Sequence, residues 1–211
     1  MTKSLVLLIE IVIALGLPIY LMGSNEFILA ARPLLLGIGG IYAGLLLWRN
    51  HATHRDIGLT RSRLVPALRS LVIPSLVTIA TVLFILTLVP SSTRLWMIGT
   101  DPLTVPQLST RLIFYIFGSS PVQELIFRGY LTYRLEQVIT SKFWIVLIST
   151  LIFIIAHVPF KSPILLLVAA LLGIYYILNY LKYKNLFAVT ASHAFVGSIL
   201  ILVRNFYLPY Q

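Results

Sequence analysis

The stretch Leu112-Ile113-Phe114-Tyr115-Ile116-Phe117-Gly118-Ser119-Ser120-Pro121-Val122-Gln123-Glu124-Leu125-Ile126-Phe127-Arg128-Gly129 decides how this chain is read. Its first third is apolar and reads as membrane-embedded, yet a carboxylate and a guanidinium follow. A carboxylate on such a segment costs roughly 2.5–3.5 kcal/mol on insertion scales, so it is kept for a reason. On a helix Glu124 and Arg128 share a face, with the acid on the favourable N-terminal side. The pair is open to two readings: mutual neutralisation, or a functional site. Gly118-Ser119-Ser120-Pro121 interrupts the run. Ser120 suits an N-cap, Pro121 the first helical position, and Gln123 the third residue of a capping box. This spacing predicts a helix restarting at Ser120, with Glu124 in its first turns near the positive end of the dipole. The alternative is a simple kink.

Outward from this stretch the chain stays apolar. Of 211 residues 59% are hydrophobic and 10% charged, against about 25% charged in soluble domains. The fold class expected is all-α: a polytopic membrane helix bundle, with residues 1–211 forming a single integral-membrane domain. No polar stretch is long enough for a soluble head. The absence of cysteine excludes disulfides, thiolate metal sites and a cysteine nucleophile. Spans of about 20 residues fall near Leu5–Met22, Phe27–Trp48, Leu68–Val89, Ser109–Val138, Phe143–Pro159, Pro163–Leu181 and Leu186–Val203, about seven in all. The run after Lys3 lacks a small-residue cleavage site and reads as a retained helix. The net charge of +10 marks cytoplasmic loops rather than nucleic-acid binding. Lys3, Arg49, Arg55, Arg61, Arg63, Arg69, Arg134, Lys142, Lys182 and Lys184 fall on one side, and Arg94, Arg111, Lys161 and Arg204 on the other. The N-terminus is therefore expected in the cytoplasm and the C-terminus outside.

Two histidines lie within spans. His157 ends Phe153-Ile154-Ile155-Ala156-His157, and His193 sits in Thr190-Ala191-Ser192-His193-Ala194. Each alone suits a hydrogen-bonding packing role between helices. His51 and His54 read as solvated loop residues. If the fourth and fifth spans form an antiparallel hairpin turning near Thr140, Glu124 and His157 meet at one height, given 1.5 Å rise per residue. Arg128 and Phe153 meet likewise. Glu124, His157 and His193 are then expected on one cavity within roughly 10 Å, the range one water and one peptide bridge, reached from the cytoplasmic side. Glu or His can take a proton from water, and a second His can stabilise an oxyanion. The same three groups match a two-His, one-carboxylate zinc site, but the His-Glu-x-x-His signature is absent. No Gly-x-Ser-x-Gly serine is present.

At these residues the chain resembles the CPBP intramembrane proteases, which group CAAX prenyl proteases with bacteriocin-processing and bacteriocin-immunity proteins. The family motifs are Glu-Glu-x-x-x-Arg, Phe-x-x-x-His and a late His-x-x-x-Asn. Here they read Gln123-Glu124-x-x-x-Arg128, Phe153-x-x-x-His157 and His193-x-x-x-Gly197. Arg55-Asp56-Ile57-Gly58-Leu59 resembles the segment before the family core, which would span about 109–203. The resemblance implies water attack on a peptide bond of a membrane-associated protein or peptide, in the lipid bilayer of a bacterial plasma membrane. It implies His157 as water-activating residue, His193 as oxyanion donor and Arg128 as organiser, and no tightly bound zinc or other cofactor. Gln123 replaces the first glutamate and Gly197 the late asparagine, so catalysis requires Glu124 to turn inward or a different mechanism. The alternative is a non-catalytic relative acting in binding, immunity or scaffolding.

Overall fold

The computed structural model describes residues 3–90 and 103–207, so Arg94 of the charge count lies outside the described residues. Eleven α-helices are used below: α1 (Lys3–Ile11), α2 (Leu17–Ser24), α3 (Glu26–Ala30), α4 (Arg32–Arg49), α5 (Leu64–Leu88), α6 (Val105–Phe114), α7 (Ser120–Glu124), α8 (Thr132–Glu136), α9 (Lys142–Ile155), α10 (Pro163–Tyr183) and α11 (Leu186–Tyr207). No strand occurs among the described residues. Four helical segments are long and apolar enough to cross a membrane: Leu64–Leu88, Lys142–Phe160, Pro163–Tyr183 and Leu186–Asn205. The chain is an all-α membrane bundle. The expected count of seven does not follow from it. The first, second and fourth expected spans are helical but divided, by widened π-type turns at Val12–Gly16, Tyr115–Ser119 and Leu125–Leu131 and by a break at Ala31.

The restart expected at Ser120 does not occur. Ser120 has ordinary helical dihedrals, φ −62 and ψ −48, and the backbone runs helically from Val105 to Glu136. The interruption is absorbed by the widened turn, in which the Ser120 N–H donates to the Tyr115 carbonyl. Such a turn re-pairs the backbone around Pro121, which has no N–H to give. Ser120 Oγ donates instead to the Thr190 carbonyl of α11, at 3.2 Å. Gln123 donates to Ser119 Oγ at 2.8 Å rather than closing a capping box. Glu124 therefore sits within a continuous helix, not at a positive helix end.

The hairpin does form. Residues 137–141 reverse the chain between α8 and α9, and the Arg128 guanidinium lies over the Phe153 ring at 4.3 Å. Phe127 meets Phe153 edge-on at 5.0 Å. One apolar cluster gathers Leu46, Leu47, Phe127, Leu131, Leu135 and Ile145; another gathers Leu71, Val82, Leu86, Leu172, Tyr176 and Val189. α10 packs against both α5 and α9, and α11 against α5. On the basic-loop end, Glu10 accepts hydrogen bonds from Tyr130 Oη and Arg134 Nε, each at 2.8 Å, tying α1 to the hairpin. Asn185 caps α11 through Ala188 N and donates to the carbonyls of Thr60 and Ser62. Gly58, at φ +71, gives its carbonyl to Leu186 N. A Cβ there would meet Tyr180 at 2.9 Å and the Lys184 carbonyl at 3.0 Å, so glycine is required for both reasons. The segment at Arg55–Leu59 thus packs as a clamp on the α10–α11 turn.

Candidate active site

Glu124 and Arg128 are both fully buried, at 0% exposure. One carboxylate oxygen, Oε1, accepts from Arg128 Nη1 at 3.1 Å and from His193 Nδ1 at 2.6 Å. Arg128 Nη2 reaches the Gly173 carbonyl at 3.4 Å, and its guanidinium lies 5.4 Å from the Tyr176 ring. Among the described residues, Glu124 Oε2 and Arg128 Nε have no hydrogen-bond partner. A desolvated charge needs a close partner of opposite sign. Here the hairpin supplies the pair and α11 supplies the imidazole that shares it.

His157 follows the last turn of α9. Its Nδ1 lies 2.7 Å from the Phe153 carbonyl, four residues back. A carbonyl only accepts, so Nδ1 carries the proton and Nε2 is left as an acceptor. His193 is fixed in the same way: Nδ1 faces the carboxylate, and in the neutral ring Nε2 carries a lone pair. The Phe153 ring stands between the two imidazoles, at 4.6 Å from His157 and 5.9 Å from His193. Tyr176 flanks His193 at 5.7 Å, and Ser75, Ser192 and Tyr176 form a hydrogen-bonded chain behind it.

His157 and His193 line one cavity of about 1090 Å³, together with Gln123, Tyr115, Tyr176 and Gly197. Glu124 and Arg128 are not among its lining residues. The three motif regions do converge, but the residues divide by role. Gln123 faces the cavity, while Glu124, about 100° round the helix, is built into the wall. Glu124 does not turn inward, because Arg128 and His193 both hold it. A two-His, one-carboxylate metal set would need that carboxylate. Among the described residues no three His, Asp or Glu side chains are grouped to hold a metal.

The direction of the cavity also differs from expectation. Its lining reaches Leu103, Gln107, Arg111, Ser162 and Arg204, and includes nothing from the basic loop 49–63 or the α10–α11 turn. It extends to the bundle end that the Lys and Arg count assigns to the outside, not to the cytoplasmic end. Sequence reasoning also missed Tyr115, whose ring meets His193 edge-on at 5.9 Å. Only a glycine in place of the late asparagine hinted that another side chain fills that space.

No curated protein and no solved structure matches the chain significantly. Residues 105–199 match the family model described as Type II CAAX prenyl endopeptidase Rce1-like. The match begins at the first residue of α6, ends two residues past Gly197, and encloses Tyr115, Gln123, Glu124, Arg128, His157 and His193. Through this segment the chain is similar to the Rce1-like type II CAAX prenyl endopeptidases.

Proposed function

We propose that the protein is an intramembrane endopeptidase that cleaves a membrane-associated protein or peptide by direct water attack, with His157 as the base. The observation that carries this reading is the pair of imidazoles on one cavity, each with Nδ1 committed and Nε2 free for a ligand. His157 Nε2 takes a proton from water as the water oxygen bonds to the scissile carbonyl carbon. The carbonyl π electrons move to oxygen. On collapse the carbon–nitrogen bond breaks, and His157 returns the proton to the leaving nitrogen. The products are a carboxyl and an amine, with no covalent enzyme intermediate. Glu124 orients His193 and neutralises Arg128, as the second member of a dyad does. With the N-terminus in the cytoplasm of a plasma membrane, as the Lys and Arg count supports, the substrate is approached from the opposite face.

A second reading is favoured by Gln123. The amide occupies the cavity position where a carboxylate base would stand, and a neutral amide takes no proton. A relative that only binds such peptides fits that observation. Cleavage of membrane-anchored quenched peptides by the purified protein separates the two. On the enzyme reading, wild type cleaves, His157→Ala falls by about 10²–10⁴-fold while remaining folded, and Gln123→Glu does not fall. If neither wild type nor Gln123→Glu cleaves any peptide, the protein is a binder.

A further inference from the structure

Gly197 lies one helical turn beyond His193 on α11, so the two positions share a face. A Cβ built at Gly197 would stand 1.9 Å from Tyr115 Oη and 2.3 Å from both Cε1 and Cζ. No side chain of any kind fits there while the tyrosine is in place. The Tyr115 ring, carried by the widened turn Tyr115–Ser119, therefore occupies the volume that a residue-197 side chain would fill. Its hydroxyl is delivered beside His193 on the wall of the cavity. The residue itself is only partly buried, so the hydroxyl stands at the cavity rather than inside the packed wall.

Beside His193 the reaction calls for a hydrogen-bond donor. In its neutral form each imidazole offers an acceptor at Nε2, because Nδ1 faces the Phe153 carbonyl in one and the Glu124 carboxylate in the other. The Gln123 amide already gives one N–H to Ser119. Hydrolysis of an amide requires a hydrogen-bond donor where negative charge develops on the carbonyl oxygen. A phenolic O–H supplies one without burying a charge.

We propose that Tyr115 is a catalytic residue: its hydroxyl donates to the carbonyl oxygen of the scissile bond and to the oxyanion that follows, and Gly197 serves to admit it. The inference rests on the peptidase reading above. Water attack shifts the π electrons onto that oxygen. The Tyr115 O–H bond stays intact and only its hydrogen bond shortens, so the proton balance remains with His157.

The test is steady-state cleavage of a membrane-anchored peptide by Tyr115→Phe beside wild type. Phenylalanine keeps the ring against Gly197, so the fold and KM should hold. Turnover should fall by about 10²–10³-fold, the loss typical of one oxyanion donor. A role in packing alone would leave kcat unmoved. A kcat within about threefold of wild type overturns the assignment. Cleavage by neither protein overturns the peptidase reading itself, which is a distinguishable result. If Tyr115→Phe does not fold, an exchange carries the test. Tyr115→Ala combined with Gly197→Asn places a carboxamide donor in the vacated space. A kcat at least about tenfold above that of Tyr115→Ala alone supports the donor role; an equal kcat overturns it.

Discussion

Replacing Glu124 with glutamine separates a wall residue from a base, because each role has its own signature. Glu124 and Arg128 are wholly buried and 3.1 Å apart. Glutamine keeps the shape and still accepts the His193 Nδ1–H, so the imidazole loses only the charge-assisted part of one bond. Arg128 loses its counter-ion. What remains around it is the Gly173 carbonyl at 3.4 Å and the faces of Phe153 and Tyr176, all of which it already has in the wild type. The change therefore exposes most of the cost of an uncompensated buried charge, about 3–5 kcal/mol. Against a total stability of about 5–15 kcal/mol, that is a large share. Equilibrium unfolding in detergent micelles measures it, and a double-mutant cycle isolates its origin. Arg128→Met alone should also destabilise, by stranding Glu124. The double variant Glu124→Gln with Arg128→Met should be clearly more stable than the two single costs added together. If Glu124→Gln unfolds within about 0.5 kcal/mol of wild type while turnover drops 10²–10⁴-fold, Glu124 is the proton acceptor and the division of roles between the wall and the cavity is wrong.

The chain has no cysteine, so single-cysteine labelling reads orientation without background. Thr110→Cys, on the cavity's outer lining, should react with a membrane-impermeant maleimide on intact cells, and His54→Cys only after permeabilisation; the reverse pattern inverts the topology. Gly40→Ala should cost about 1–3 kcal/mol by overpacking, since its Cβ would meet Val122 Cγ1 at 2.6 Å where α4 crosses α7; unchanged detergent unfolding would show that Val122 simply rotates away. Asp56 accepts from Thr53 Oγ1 at 2.6 Å and Thr53 N at 2.8 Å, and these bonds hold its carboxyl below the ordinary value of 3.8. A carboxyl depressed on folding contributes stability that is present above its unfolded value and is lost as pH falls through its folded one. Amide exchange in the clamp loop should therefore accelerate, relative to its intrinsic rate, as pH is lowered through the acid range in wild type. Asp56→Asn should flatten that response, and an identical acid limb in both proteins would remove Asp56 from the account.

Much of the site was legible because a helical hairpin converts sequence distance into depth. Equal spacing about the turn brought Arg128 onto Phe153, where the guanidinium now stacks at 4.3 Å. The motif order carried His193 to the same cavity. What the spacing could not carry was rotation. The local signals at Ser120 and Pro121 argued for a helix start, but Ser120 is spent on the Thr190 carbonyl of α11, a partner seventy residues away. Once the helix continues through widened turns, each such turn changes the phase of everything after it. Which of two neighbouring residues faces the cavity is then a tertiary outcome.

That phase gives the Gln123-Glu124 pair its meaning. Were Glu124 on the cavity, Arg128 would be left in the wall without a counter-ion and His193 without a fixed tautomer. The bundle needs one carboxylate inside the wall, and Glu124 meets that need through a single oxygen shared by two partners. The cavity then loses its carboxylate and keeps an amide, two oriented imidazoles and a phenol. On the proposed peptidase reading, water activation passes to His157, and stabilisation of the oxyanion to the hydroxyl that Gly197 admits. On that reading, the substitutions at 123 and 197 are each answered by another residue of the same cavity. This is why activity should depend on His157 and Tyr115, while folding depends on Glu124 and Arg128.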